Sequence, residues 1–421
     1  MTSTEPTDQP STDRTYDIVV YGATGFVGRL TAKYLAEHAP SGTRIALAGR
    51  SRQKLEATRR SLPGVATEWP LVEADSTDTD ALRSLAESTR VVITTVGPYA
   101  KYGLPLTTVC AEAGTDYVDL TGEVLFARKS IDANHEIARR TGARIVHSCG
   151  FDSVPSDLGV HVLHAAVAAD DAGDLTDTTL VVTSMRGGVS GGTVDSLRTQ
   201  IEEVKKDGSL RRLAARPYSL SPDRSTEPDL GRQSDVVLVN GKDIAPGLRG
   251  WKAPFVMASY NTRVVRRSNA LRDWAYGTAF RYREVMSVGS SIASPVIAGA
   301  VSAGLGAMVL GMTVLPKPVL DRILPKPGDG PSPSAQENGH FTIDVYTTTT
   351  TGAHYRSRVK ASGDPGYKAT SVMLGESALA LVHDRADLPG GGGVLTPATG
   401  LGDALVNRLR AAGFEIWAKK V

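Results

Sequence analysis

The run Asp17-Ile-Val-Val-Tyr-Gly-Ala-Thr-Gly-Phe-Val-Gly28 constrains the fold more than any other part of the chain. A short apolar stretch that reads as a strand passes straight into glycines at 22, 25 and 28. Arg29-Leu-Thr-Ala-Lys-Tyr-Leu-Ala36 then continues with apolar residues at helical spacing. In a strand–turn–helix of this kind the first glycine allows the tight turn, the second lets backbone approach a ligand, and the third lets helix and strand pack closely. The loop Gly22-Ala23-Thr24-Gly25-Phe26-Val27-Gly28 therefore aims a helix N-terminus at negative charge, and a dinucleotide diphosphate is the ligand that fits.

About 20 residues beyond the glycines, NAD-specific sites place an acid on the ribose 2′-hydroxyl. Here a second strand, Arg44-Ile-Ala-Leu-Ala-Gly49, is followed by Arg50. A guanidinium pairs with a 2′-phosphate in a fork geometry, and Ser51 and Lys54 add a donor and a charge. The expected cofactor is NADP(H); the competing reading of Arg50 is a solvated residue at a strand end.

Strands and helices alternate as far as Gly150: helices over 53–61, 79–87, 104–113 and 131–141, and strands at 69–74, 90–95, 116–122 and 143–149. That alternation predicts an α/β fold, an N-terminal doubly wound Rossmann-type parallel sheet with a second α+β domain. The expected division is a disordered polar tail over 1–14, an NADP-binding domain over 15–150, a substrate-binding α+β domain over 151–399, and a C-terminal helix and tail over 400–421. Strands at 179–184 and 341–350, helices at 193–206 and 368–383, and a Pro/Gly-rich linker at 325–334 are expected in the second domain. With 421 residues, near-balanced charge (+2) and scattered basic residues, nothing calls for a nucleic-acid partner. Two cysteines, Cys110 and Cys149, make no disulfide framework or metal site, which suits a cytoplasmic setting. No metal is expected.

Val285 to Leu315 carries no charged residue, a run longer than the ~20 residues that cross a bilayer. It is dominated by small residues and lies within a domain with strands on both sides. A spanning helix, a membrane-touching or lipid-enclosing hairpin, and a buried or dimer-forming pair of helices are all open, so membrane association and a homodimer stay open too.

Ligands of doubly wound sheets lie at the carboxyl ends of the strands. The loop Thr95-Val-Gly-Pro-Tyr-Ala-Lys-Tyr-Gly103 should border the cofactor, with Thr95, Val96, Gly97 and Pro98 against it and Tyr99 and Tyr102 as candidate proton donors. Asp152 and Ser153 are candidates to orient substrate or water, whereas Ser156 and Asp157 fit a helix N-cap. Asp119, Thr121, Gly122 and Glu123 fit either a cleft lining or a turn into a helix. Tyr-x-x-x-Lys is absent from the chain, which argues against a short-chain dehydrogenase.

Together, Val20-Tyr-Gly-Ala-Thr-Gly-Phe-Val-Gly28, Ala48-Gly-Arg-Ser51, Thr94-Thr-Val-Gly-Pro-Tyr99, Cys149-Gly-Phe-Asp-Ser-Val-Pro-Ser-Asp157 and Gly393-Val-Leu-Thr-Pro397 resemble the saccharopine dehydrogenase-like superfamily. Arg186-Gly-Gly-Val-Ser-Gly-Gly-Thr193, Asn261-Thr-Arg-Val-Val-Arg-Arg-Ser-Asn269 and Asp364-Pro-Gly-Tyr-Lys-Ala-Thr-Ser371 resemble its actinobacterial trans-acting enoyl reductase branch. The resemblance implies NADPH-dependent reduction of a carbon–carbon double bond in a polyketide or lipid intermediate of phthiocerol type. It also implies a thioester substrate presented by the acyl carrier domain of a separate polyketide synthase. A saccharopine-type carbon–nitrogen oxidoreductase and a non-catalytic, lipid-associated NADP-binding protein are the alternatives. Arg263, Arg266 and Arg267 would clamp carboxylates in the first alternative, or meet a phosphate or an acidic carrier in an enoyl reductase.

Overall fold

The computed structural model describes residues 14–187, 191–315 and 332–421. Tyr16–Tyr21 (β1), Ile45–Gly49 (β2), Leu71–Glu73 (β3), Thr89–Thr94 (β4), Asp116–Val118 (β5) and Arg144–Val146 (β6) arise from the alternating first part of the chain. Leu175–Arg186 (β7), Val239–Asn240 (β8), Trp251–Pro254 (β9), Arg281–Ser287 (β10), His340–Thr349 (β11) and His354–Ser362 (β12) follow, and Gly393–Leu395 (β13) and Glu415–Lys420 (β14) end the series.

The first sheet has the order β13-β6-β5-β4-β1-β2-β3 and is parallel throughout. Ile18, Val19, Val20, Val91, Val92 and Ile93 are fully buried, as a sheet covered by helices on both faces requires. The order reverses between β1 and β4, which opens the ligand crevice at their carboxyl ends. The second sheet, β14-β12-β11-β7-β10-β9-β8, is mixed: β10 runs parallel to β7 and every other pair is antiparallel.

Several elements depart from the sequence reading. β13, inside the range given to the second domain, pairs with β6 of the first sheet. Helix Thr370–His383 also packs on helix Phe26–His38 of the first sheet; a Cβ on Gly375 would stand 2.7 Å from the Tyr34 ring, so only glycine permits the crossing. Residues 415–420, expected as tail, form β14 against β12, because Ile416 can bury itself there. The helix after β4 spans Tyr99–Ala113 rather than starting at Leu104, and the next spans Val124–Thr141 rather than starting at Ile131. The uncharged segment divides: Val285–Ser287 end β10, and Ser294–Val314 form one helix. Of the expected tail (1–14) and linker (325–334), residues 1–13 and 325–331 lie outside the described residues; Arg14 donates to the Ala86 carbonyl at 3.1 Å, and Pro333–Glu337 form a short helix.

Candidate active site

At the crevice the backbone does most of the shaping. Gly22 has φ +87°, and a Cβ there would stand 2.8 Å from Thr95 Oγ1; a Cβ on Gly28 would stand 2.2 Å from the Gly22 carbonyl oxygen. The Thr95 hydroxyl donates to that same carbonyl at 3.1 Å, tying the loop after β4 to the loop after β1. Helix Phe26–His38 has no side-chain N-cap and no acidic residue in its first turn, so its leading amides are available to an anion. The loop residues thus fit a dinucleotide diphosphate. Ala23 is buried, and the Thr24 carbonyl accepts from the Arg29 guanidinium at 2.6 Å.

Arg50 is exposed directly beyond β2. It lies within electrostatic reach of Asp75, whose carboxyl is held below the usual range first by the Thr77 hydroxyl and amide and more weakly by Arg50. Ser51 is the N-cap of helix Arg52–Arg60 and accepts from the Lys54 amide at 3.5 Å; the Lys54 side chain is exposed.

The three acid candidates have different settings. The Tyr99 hydroxyl is interior: it donates to the Thr94 carbonyl at 3.2 Å and accepts from the Leu120 amide at 3.1 Å. Burial, with Asp119 next in weight, pushes it well above the ordinary tyrosine range. Tyr102 stands at the rim in the first turn of the same helix, 38% exposed. Asp152 is half-buried in the turn after β6, and its carboxyl makes no hydrogen bond or ion pair among the described residues. Burial pushes it up to about 6, and it is near enough to Tyr99 and Tyr260 to bear on both hydroxyls.

Behind these lies a polar nest that gathers Asp119, Thr121 and Glu123, read from the sequence as a cleft lining or a turn, with His147 and Tyr260, which the sequence did not single out. β5 and β6 pair Val118 with Val146, so the next residues, Asp119 and His147, meet side by side. Asp119 Oδ2 accepts from His147 Nδ1 at 2.7 Å and the Tyr117 hydroxyl at 3.0 Å; Oδ1 accepts from the amides of Ser148 at 2.8 Å and Thr121 at 3.0 Å. Its acceptor sites are filled. Ser148, at φ +66°, donates to the Thr121 carbonyl, and its oxygen lies 2.5 Å from the Tyr260 hydroxyl. Glu123 accepts from the amides of Tyr99 and Ala100 at 2.9 and 2.7 Å, which is why that helix starts where it does, and from Ser196 at 2.7 Å. Paired strand ends were the available signal for Asp119 and His147; a cap supplied from 24 residues away had none.

Two sequence expectations fail here. Asp157 is no N-cap: inside the first turn of helix Val154–Ala169, it accepts from the Ser268 hydroxyl at 2.5 Å and the Ala398 amide at 2.8 Å. Arg263, Arg266 and Arg267 are almost wholly buried on helix Ala258–Leu271. Arg263 pairs with Asp235, Arg266 donates to the Tyr282 carbonyl at 2.8 Å, and Arg267 donates to the carbonyls of Leu220 and Val394 at 2.5 and 2.6 Å. They hold the fold together and present no cation to a substrate.

Segments far apart in the chain roof the crevice. Tyr367 meets Phe26 of the glycine loop edge to face at 4.9 Å and accepts from the Gly191 amide at 3.4 Å. The Thr370 hydroxyl accepts from the Phe151 amide at 3.0 Å, and Gln200 accepts from the Val124 amide at 2.9 Å. Helix Gly191–Lys206 thus crosses the mouth of the first sheet between the cofactor loop and Glu123.

Residues 18–146 match the saccharopine dehydrogenase NADP-binding domain. A Mycobacterium tuberculosis protein, named provisionally as a trans-acting enoyl reductase, is 54% identical over 412 residues, 96% of this chain and 98% of that protein. The trans-acting enoyl reductase of Mycobacterium bovis is 50% identical over 407 residues (95% and 97%), and that of Mycobacterium ulcerans 49% over 417 (98% and 99%). The chain belongs to the trans-acting enoyl reductase family. Its first sheet is an NADP-binding domain and the chain an NADP-dependent oxidoreductase. Apo saccharopine dehydrogenase (L-Glu forming) of Saccharomyces cerevisiae superposes with TM-score 0.52 at 13% identity, covering 96% of this chain and 100% of that one, which shows a shared fold.

Proposed function

We propose that this protein reduces the α,β double bond of an enoyl thioester in a polyketide-derived lipid intermediate, using NADPH, while the substrate is held by the acyl carrier domain of a separate synthase. The observation that carries this reading is near-full-length similarity to the trans-acting enoyl reductases, which includes the roof as well as the cofactor sheet. A cytoplasmic setting goes with it.

NADPH supplies a hydride for the β-carbon. The protein's residues bind and orient it: Gly22 to Gly28 and the leading amides of helix Phe26–His38 hold the diphosphate, Arg50 takes the 2′-phosphate, and the Thr95-Val-Gly-Pro98 turn borders the other end. Helix Gly191–Lys206 and the Tyr367 turn exclude water. Asp152 holds the proton for the α-carbon; with its carboxyl at about 6, about a tenth is protonated at pH 7, close to the balance a general acid needs. Tyr99 fixes the two loops its hydroxyl joins, and Tyr102 at the rim is the second acid candidate. The carbon–nitrogen reading needs a cationic clamp, and Arg263, Arg266 and Arg267 are committed elsewhere.

The test is reconstitution: enzyme, NADPH and an enoyl group loaded on a synthase carrier domain, read by mass spectrometry. The expected product is two hydrogens heavier; an unchanged acyl mass with bound NADPH would instead mark a nucleotide-binding protein without this activity.

A further inference from the structure

Helix Ser294–Val314 is the one described helix long and apolar enough to cross a membrane, yet little of it is covered. Ser294, Ala298, Leu305 and Met312 turn inward, towards β9 and helix Gly191–Lys206. With Val301, Ser302 and Met308 half-buried to either side of them, at 100° per residue the inward positions take up roughly a third of the circumference, leaving an outward arc of about 240°. That arc carries Val296 (75% exposed), Leu310 (63%) and Val314 (69%), with Ile292 fully exposed just ahead, and no charge. A helix apolar on every side belongs against something apolar.

Spanning is excluded by the chain on either side. β10 before the helix and β11 after it belong to one sheet, so a crossing would need a return through 316–339, which contains Lys317, Asp321, Arg322, Lys326 and Asp329. A second protein helix fills a stripe of about 100°, less than half of the open arc. A fluid hydrocarbon surface wets all of it.

Charge indicates which surface. Lys205 donates to the Thr313 carbonyl at the end of the apolar helix, and Lys206, Arg211 and Arg212 are exposed beyond it without an ion pair among the described residues. Of the neighbouring acids, Glu202 is paired with Arg198 at 3.8 Å and Glu203 with Lys129 at 3.1 Å, while Asp207 caps the next helix through the Ser209 amide at 2.7 Å and keeps its charge, which Lys206, Arg211 and Arg212 outnumber.

We propose that helix Ser294–Val314 lies in the plane of an anionic lipid bilayer surface, its outward arc in the acyl boundary and Lys206, Arg211 and Arg212 among phosphate headgroups. Helix Gly191–Lys206 joins the two functions, roofing the crevice at one end and meeting the membrane helix at the other. The protein acts from the lipid surface, where a growing acyl chain can rest while the thioester is reduced.

Sedimentation of the full-length protein with vesicles tests this. Phosphatidylcholine vesicles containing a minor fraction of phosphatidylglycerol should bring it down, and pure phosphatidylcholine vesicles should bring down far less, with binding weakened by salt. The double variant Leu310→Glu/Val314→Glu should lose at least tenfold in partition while keeping NADPH affinity, and Lys206→Gln/Arg211→Gln should lose roughly fivefold per site on anionic vesicles only. Wild-type protein remaining in the supernatant with both vesicle types would overturn the proposal. So would a dimer by light scattering that becomes monomeric in Leu310→Glu/Val314→Glu, which would assign the helix to a second copy of the chain.

Discussion

The glycine loop after β1 and the polar nest after β5 and β6 lie at the same edge of one sheet but are built in opposite ways. The loop works through side chains that are missing: Gly28 is required because a Cβ would collide with a carbonyl 2.2 Å away, and the first amides of the helix are left open because nothing caps them. The nest works through side chains gathered from β5, β6 and helix Ala258–Leu271, each oriented by the next. Backbone machinery is tolerant of its surroundings and intolerant of any added atom. Side-chain machinery is set by partners up to 112 residues distant, and the proposed acid, Asp152, stands apart from it: its carboxyl has no partner among the described residues, whereas Asp119, Glu123 and Asp157 are all engaged.

The largest effect should come from adding atoms to the loop. Gly28→Val should weaken NADPH binding by more than about a hundredfold in calorimetric titration, since no rotamer clears the Gly22 carbonyl; near-normal affinity would break the backbone half of the comparison. Asp152→Asn should next lower kcat by about 10²–10³ with little change in NADPH affinity. In the wild type, kcat should fall about tenfold per pH unit above about 6 as the acid loses its proton, and the variant should lack that limb. An unchanged profile would move the role to Tyr102. A smaller effect, about 10–100-fold, is expected in NADPH over NADH preference for Arg50→Asp, read from melting-temperature shifts with each nucleotide.

The smallest should be purely structural. Glu284, buried with the Tyr282 hydroxyl at 2.8 Å and Asn261 at 3.0 Å, is pushed up to about 7 by burial. Because its folded value lies above its unfolded value near 4.5, the stability it contributes is full below that pH and is lost as pH rises through about 7. Glu284→Gln should flatten this decline in thermal melts taken from pH 4.5 to 7.5, without altering cofactor preference.

What could be read in advance follows the same division. β1 with its glycines and β2 with Arg50 are contiguous signals, and the alternation of strands and helices through β6 is periodic, so the parallel sheet was legible. β13 and helix Thr370–His383 return to that sheet from the far end of the chain, and no local pattern announces a return. Arg263, Arg266 and Arg267 looked like a surface clamp because arginine rarely buries; the carbonyls of Leu220, Tyr282 and Val394 that accept from them are invisible in one dimension. Asp152 was a candidate from its position after a strand, but its isolation emerged only when Asp119, Glu123 and Asp157 proved to be occupied.

Hydride delivery to the β-carbon of a carbon–carbon double bond, rather than to the carbon of a carbon–nitrogen double bond, is most directly tested with NADPH deuterated at the transferable position. Incubated with an enoyl thioester, the protein should place one deuterium at the β-carbon, and an α-keto acid with an amino acid should take up none. Deuterium appearing only in the amine product would contradict the account.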